Sequence, residues 1–354
     1  MSRLYSNLKF LRHTTQLDAL RDRTMVAPVH VRIKPMNHCN QSCWFCAYRA
    51  DNLQLGDGID LKDRIPESKM FEITDDLIDM GVKAVTFSGG GEPLLYRPLP
   101  DVIERLAAGG IKIGALTNGA NLKGRMADAF AAHGTWIRIS VDGWDDASYA
   151  EARSIAEGHF TKLLENMRAF VRRGSRCVLG VSFIIGHANH AKIRDFCAMM
   201  KDIGVNHVKL SGVVVGNDGA TNKAYHRNIS AVVTEQIRAA SDLNDANFSV
   251  IDHYHELDEL FAKSYTTCPF LQFLTVIGAD CAVYTCQDKA YTQAGLLGSI
   301  RDRSFKEFWF SEENRQKLYG LDPSVSCQHH CVAHAKNLAI TDILALDQDH
   351  AVFV

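Results

Sequence analysis

Three cysteines within eight residues constrain this chain more than any other feature. Cys39, Cys43 and Cys46 follow a C-x3-C-x2-C spacing, directly after the apolar run 29–33. Three thiolates on one short loop can hold three irons of a [4Fe–4S] cube. Such cubes are normally held by four cysteines, so one iron is left open for another ligand. Phe45, just before the last cysteine, can shield the cluster from water and tune its potential. On the triplet alone two other readings stay open. Zinc favours four N/S ligands in C-x2–4-C pairs, and a disulfide framework belongs to small secreted chains.

Composition narrows the setting. A chain of 354 residues that is 46% hydrophobic has room for one large domain and a small one. Its formal net charge of −2 comes without a basic block, so a nucleic-acid partner is not expected. Residues 1–23 are polar and basic with no apolar core, unlike a secretory signal. No run approaches the roughly 18 apolar residues a membrane helix needs. Ten cysteines in such a chain point to a reducing compartment and metal chemistry, so a cytoplasmic location is expected.

Along the chain, strand and helix patterns alternate. Strands are expected at 29–33, 84–87, 111–116, 136–141, 177–185 and 207–215, with helices at 67–80, 99–108, 121–132, 160–173 and 191–203. Six β-then-α units argue for a parallel sheet with right-handed crossovers. Six rather than eight predicts an α/β fold built as an open, partial (β/α)6 TIM barrel, whose chemistry lies at the carboxyl ends of the strands. The expected divisions are an N-terminal helix or arm at 1–27, the barrel at 28–235, a helical linker at 236–264 (helices 229–240 and 254–262), a cysteine-rich domain at 265–335 and a tail at 336–354.

The remaining motifs fall at strand ends. The second strand runs into Ser88-Gly89-Gly90-Gly91-Glu92-Pro93, where glycines admit close backbone approach and a carboxylate with backbone carbonyls suits an ammonium group. Ser140 and Asp142 are two apart and share a strand face, a pair suited to a diol. Asn118 either supports the same ligand or makes a local Asx-turn. A second cysteine set comprises Cys268, Cys281, Cys286, Cys327 and Cys331, crowded by His329, His330 and His334. Cys177 and Cys197 read as core residues.

In combination, the C-x3-C-x-aromatic-C loop after a first strand and the GGGEP stretch one βα unit later resemble the radical S-adenosylmethionine (SAM) superfamily. The resemblance implies that the open iron is chelated by SAM. It also implies that Gly89, Gly90, Gly91 and Glu92 bind the SAM amino group, Ser140 and Asp142 the ribose, and Arg153 the SAM carboxylate. The family's usual glycine after that arginine is Ser154 here. Residues 277–286 resemble the hairpin of SPASM and twitch domains, which hold auxiliary iron–sulfur clusters. In that pattern a glycine stands where this chain has Cys281. The set lacks the C-x2-C pair of a full SPASM domain, so one auxiliary [4Fe–4S] cluster is expected, as in twitch domains. Its ligands would be Cys268, Cys286, Cys327 and Cys331, with Cys281 an alternate ligand or free thiol; zinc is the competing occupant.

The resemblance implies reductive cleavage of SAM to a 5′-deoxyadenosyl radical, fed by a flavodoxin- or ferredoxin-type donor, and hydrogen abstraction from a substrate. A fully ligated second cluster favours electron transfer and so a two-electron oxidation of a small polar substrate: a sugar, aminocyclitol or nucleoside. Lys209 and Ser211 are candidate contacts for it. The alternatives are a peptide or protein maturase, against which the 38 residues before Cys39 leave little room for a peptide-recognition domain, and an epimerase with Cys281 as thiol donor. A non-catalytic binding protein would leave the GGGEP stretch and the Ser140/Asp142 pair without purpose.

Overall fold

Side chains alternate along the central strands, and the alternation sorts them to two sides of one sheet. The computed structural model describes residues 5–50, 53, 56–256, 261, 263–327, 329–347 and 349–353. Val31 and Ile33 of β1 (His30–Ile33), Val85 and Phe87 of β2 (Ala84–Phe87) and Ile113 and Ala115 of β3 (Lys112–Thr117) are buried against helices. The same holds for Ile137 and Ile139 of β4 (Gly134–Ser140), Leu179, Val181, Phe183 and Ile185 of β5 (Val178–Ile185) and Val208 and Leu210 of β6 (His207–Gly212). Residues between them line the concave lumen. There Gly114 and Gly180 leave room for Trp136 and His207: a Cβ would lie 2.3 Å from the indole of Trp136 and 2.2 Å from Nε2 of His207.

The outer layer is made of helices with one apolar stripe each. In α2 (Glu67–Asp79), which follows α1 (Thr14–Asp22), Met70, Ile73, Thr74 and Leu77 are buried at helical spacing. The helix stops where Gly81 takes a φ of +72°. Next come α3 (Leu99–Ala108), α4 (Gly124–His133), α5 (Asp146–Arg153), α6 (His159–Val171) and α7 (Ile193–Ile203). α8 (Gly219–His226) and α9 (Ser230–Ser241) complete the set. Asp145 and Ser148 form a capping box that fixes the start of α5, the helix that carries Arg153. Cys177 and Cys197 are core residues, as expected.

The expected six strands are present, and β7 (Ser249–Asp252) adds a seventh by pairing in parallel with β6. It falls in the segment read as a helical linker. Its residues are half-buried to exposed, so no apolar alternation marks it. Of the helix expected at 254–262, residues 254–256 are not helical, and 257–260 and 262 lie outside the described residues.

The cysteine-rich segment extends the same sheet at its other edge. β8 (Leu274–Ile277) pairs in parallel with β1, and β9 (Ala282–Tyr284) and β10 (Leu296–Ser299) follow antiparallel, giving the order β10-β9-β8-β1-β2-β3-β4-β5-β6-β7. Ile277, Val283, Leu297 and Ile300 belong to the barrel's own core. So do Phe305, Phe308 and Trp309 of α10 (Phe305–Trp309) and Leu318 of α11 (Glu312–Gly320). The boundary expected near 265 is therefore no break in packing. α12 (Pro323–Ser326) leads to the last two cysteines, and α13 (His334–Leu344) stands where a tail was expected. Its Ile340 shares a small core with Phe10, Leu17 and Phe273, tying down the N-terminal arm.

Two measurements follow. Trp309 is fully buried and donates from Nε1 to the carbonyl of Val26 at 2.8 Å. Trp309→Ala should cost about 3–5 kcal/mol, and denaturant melts should show one transition lowered rather than a separately melting C-terminal unit. His207 is held at about 4, by burial first and then by the Arg138 guanidinium. The folded chain then binds fewer protons than the unfolded one. Stability should fall as pH drops from about 6.5 towards 4, by up to roughly 1.4 kcal/mol per pH unit. His207→Gln should flatten that slope in melts taken across the window.

Candidate active site

The loop after β1 brings Cys39, Cys43 and Cys46 to a cavity of about 260 Å³ at the carboxyl ends of the strands. Gly89–Glu92 after β2, Thr117 and Asn118 at the end of β3, Arg138 and Ser140 of β4, Ser182 of β5 and Arg153 line the same cavity. Burial pushes the Cys43 thiol up to about 11, with the neighbouring Cys46 and Cys39 adding to the effect. Three half-buried thiols on one loop suit a metal cluster, whose positive charge stabilises thiolates.

The Gly-rich stretch packs against the cysteine loop. A Cβ on Gly90 would lie 2.2 Å from Oδ1 of Asn37, and one on Gly91 would lie 2.1 Å from the carbonyl of His38. Glu92 N donates to that same carbonyl at 2.9 Å. The Glu92 carboxylate accepts from the Thr117 hydroxyl (2.5 Å), Asn118 N (2.8 Å) and Leu94 N (2.9 Å). It thus clamps the end of β2 to the end of β3. Of a carboxylate's roughly four acceptor positions, one is left for a ligand. Asn118 makes the Asx-turn to Ala120 N (3.0 Å), and its amide also reaches Asn40 Oδ1 at 2.8 Å on the cysteine loop.

Ser140 and Asp142 converge as expected, with the hydroxyl 3.0 Å from Asp142 Oδ2, but on different duties. Ser140 lines the cavity and Asp142 does not. Both Asp142 oxygens are engaged, Oδ1 by Ile184 N at 2.7 Å and Oδ2 by Ser140 and the Arg153 guanidinium. A buried guanidinium needs a counter-charge, and Asp142 supplies it from outside the cavity lining, a duty the ribose role expected of it did not include. Burial pushes the Asp142 carboxyl up, and Arg153, Ile184 N and Ser140 pull it back. Arg153 also donates to Gln41 Oε1 (2.7 Å) and packs beside the Phe45 and Tyr149 rings, so one side chain ties β4 to the cysteine loop. Ser154, where the family pattern has glycine, takes a φ of +52°.

Across the lumen, Cys268, Cys286, Cys327 and Cys331 gather at the second site. Burial raises all four thiols. Cys331 and Cys327 add to the rise at Cys268, and Cys331, Cys268 and Cys327 do so at Cys286. The four thiols feel one another electrostatically and so share one neighbourhood, although among the described residues no three His, Cys, Asp or Glu side chains are grouped closely enough to hold a single metal ion. Asn337, buried on α13, donates to Cys268 Sγ at 3.3 Å. Lys263 and Lys289 lie near Cys327, the latter donating to Ser326 O at 2.6 Å. His329 Nδ1 contacts the carbonyl of His330, and its Nε2 has no partner among the described residues.

Cys281 belongs to neither set. It is buried in the barrel core in the β8–β9 turn, where its N–H bonds to Gly278 O at 3.1 Å and its φ is +60°. This is the left-handed third position of a three-residue hairpin loop, which explains the family's glycine. The thiol is not among the groups that line the cavity where a hydrogen donor would stand.

Sequence reading missed Lys34. It is fully buried and donates to Tyr48 Oη (2.6 Å) and Gly89 O (2.7 Å). Tyr48 in turn donates to Gln287 O at 3.3 Å, beside Cys286. Burial and Arg32 push the Lys34 ammonium down to about 7. This chain of contacts joins the two cysteine sites. The one signal for it was a lysine directly after a strand's apolar residues.

Residues 33–203 match the Radical SAM superfamily. The chain carries a radical SAM domain over that stretch, just under half of its length, and enzymes built on this domain use a [4Fe–4S] cluster and SAM. It is 24% identical over 234 residues to a GTP 3′,8-cyclase of Tolumonas auensis, covering 63% of this chain and 66% of that one, just under two thirds. In fold it resembles Streptococcus suis SuiB bound to precursor peptide SuiA (TM-score 0.62, 15% identity, 94% of this chain and 78% of that one). It also resembles anSMEcpe with bound AdoMet (TM-score 0.59, 14% identity, 90% and 97%). No helix among the described residues is long and apolar enough to cross a membrane.

Asp142→Ala leaves a buried guanidinium without its counter-charge and should cost about 3–5 kcal/mol. The Asp142→Ala/Arg153→Ala double variant should be less destabilised than the sum of the singles, a coupling that denaturant melts of all four proteins would read.

Proposed function

We propose that Cys39, Cys43 and Cys46 hold the SAM-binding [4Fe–4S] cluster and that the enzyme oxidises a small polar substrate by two electrons. The observation that carries this reading is the meeting of those thiols with Gly89–Glu92, Ser140 and Arg153 in one cavity, with a four-thiol site across the lumen. When bound, the cluster and SAM supply hydrogen-atom abstraction by a 5′-deoxyadenosyl radical.

The chain's own residues do the rest. The free acceptor of Glu92 and the backbone carbonyls of the glycine strip take the ammonium of SAM. Ser140 offers a hydroxyl to the ribose. Arg153, held by Asp142 and Gln41, turns its remaining N–H groups to the carboxylate. The Phe45 and Tyr149 rings beside it keep water away. Cys268, Cys286, Cys327 and Cys331 complete the usual ligand set of an auxiliary [4Fe–4S] cluster. That favours electron transfer over substrate coordination, and with it net oxidation. A flavodoxin- or ferredoxin-type protein fits as electron donor. The similarity to a GTP 3′,8-cyclase supports a nucleoside or nucleotide among the small polar substrates.

Anaerobic reconstitution should yield about eight irons per chain and 5′-deoxyadenosine with dithionite and SAM. Cys46→Ala should lose about four irons and all 5′-deoxyadenosine, whereas Cys286→Ala should lose about four irons and still cleave SAM. Iron at half that level with bound zinc would remove the case for oxidation. A protein that makes no 5′-deoxyadenosine would end the radical reading.

A further inference from the structure

Three strands repeat one pattern. A single cation stands between two apolar residues in Val31-Arg32-Ile33, Ile137-Arg138-Ile139 and Val208-Lys209-Leu210. Since the flanking residues point outward into the core, Arg32, Arg138 and Lys209 all point into the lumen. Lys209 lies in register with Ser182, and Ser182 with Ser140; both serines line the cavity, as does Arg138 itself. Arg32 faces the second site, near Asp288 and Cys286. The three cations thus stand between the two cysteine sites, where a substrate must lie to meet both.

Their charges are poorly answered among the described residues. Arg32 Nε and Nη1 and Arg138 Nε are buried without a hydrogen-bond partner among the described residues. Arg138 Nη1 donates to the neutral hydroxyl of Tyr5 at 3.1 Å. Lys209 makes no hydrogen bond or ion pair among the described residues, and burial followed by Arg138 pushes its ammonium down to about 7. The nearby acids have other partners: Glu256 accepts from or pairs with His253 at 2.9 Å, and Asp288 accepts from Val332 N at 2.9 Å. Lys34 and Lys336 add further positive charge beside Arg32 and Lys209. Buried like charges without counter-charges are costly unless a ligand brings the missing anion.

We propose that Arg32, Arg138 and Lys209 form an anion site in the barrel lumen that binds a phosphate group of the substrate. This rests on the reading of the cavity as a radical SAM active site and narrows its substrate to a phosphorylated small molecule. Phosphate fits better than carboxylate because three donors arrive from three strands, and a dianion with several free oxygens can answer all of them. The two guanidiniums offer forked donors and the lysine a point charge.

The test is calorimetry on the reconstituted, SAM-bound full chain with inorganic pyrophosphate and, separately, acetate. Pyrophosphate should bind, with its dissociation constant weakened at least tenfold in Lys209→Met and in Arg32→Met, and acetate should bind at least tenfold more weakly. No pyrophosphate binding, or equal binding by both variants, overturns the proposal; acetate binding as tightly as pyrophosphate overturns the choice of phosphate. Since the lumen cations repel one another, Lys209→Met should melt no lower than the parent. A drop of several degrees would mean that the protein already satisfies this ammonium, which also overturns the site. The same samples are assayed for 5′-deoxyadenosine. SAM cleavage without pyrophosphate binding sinks this inference alone, whereas pyrophosphate binding without cleavage supports the anion site and sinks the radical reading.

Discussion

A guanidinium enclosed by protein must be matched, and the cavity is shaped by how Arg153 is matched. Asp142 supplies the charge and Ser140 and Gln41 supply acceptors, the first two from the end of β4 and the third from the cysteine loop. Meeting these three demands at once fixes the end of β4 and the first part of the cysteine loop relative to α5. Glu92 does the same for β2 and β3 through uncharged donors. The thiols are thus held by a frame of buried polar contacts. Such frames are exacting: fully satisfied they specify one arrangement, and half satisfied they favour none.

Much of this was legible in the sequence because the signals are local. The C-x3-C-x2-C loop, the GGGEP strip and the βα alternation can each be read in short windows, and the barrel and cavity stand where those windows put them. What escaped reading depends on distant partners. β7 is a half-exposed edge strand whose only mark is its pairing with β6. Asp142 looks like a ligand-binding acid until Arg153 is seen to occupy it. Cys281 reads as a reactive thiol by residue type, whereas its position in the turn is about backbone angle. Ser154 is its counterpart, so at both places where the family pattern has glycine this chain keeps the left-handed turn without it. Such conformations cost a non-glycine residue on the order of 1 kcal/mol or more each, and neighbouring packing must hold them.

The lumen shows a different kind of legibility. A lone cation inside an apolar strand is conspicuous once the barrel's facing is known and easily passed over before. Arg32, Arg138 and Lys209 differ from Arg153 in one respect: Arg153 is ion-paired to a carboxylate, and among the described residues they are not. The same protein therefore holds one finished charge pair and one unfinished cluster within the same barrel.

The pairing of β8 with β1 places the two ends of the chain's information side by side. His30 meets Leu274, and Ile33 meets Ile277, so β1 has only one neighbour until about 240 further residues have been made. During synthesis the edge that carries the first cysteine loop stays open, with unpaired backbone groups and apolar side chains on view. Closing a loop of that length is slow, and open edges invite aggregation. The second set of thiols arrives with the strand that seals the first. Biogenesis is therefore ordered by topology: a chain interrupted before β8 would leave its first cysteine loop on an unfinished edge. Expression yield should depend as much on the time spent in that half-sealed state as on the stability of the finished sheet.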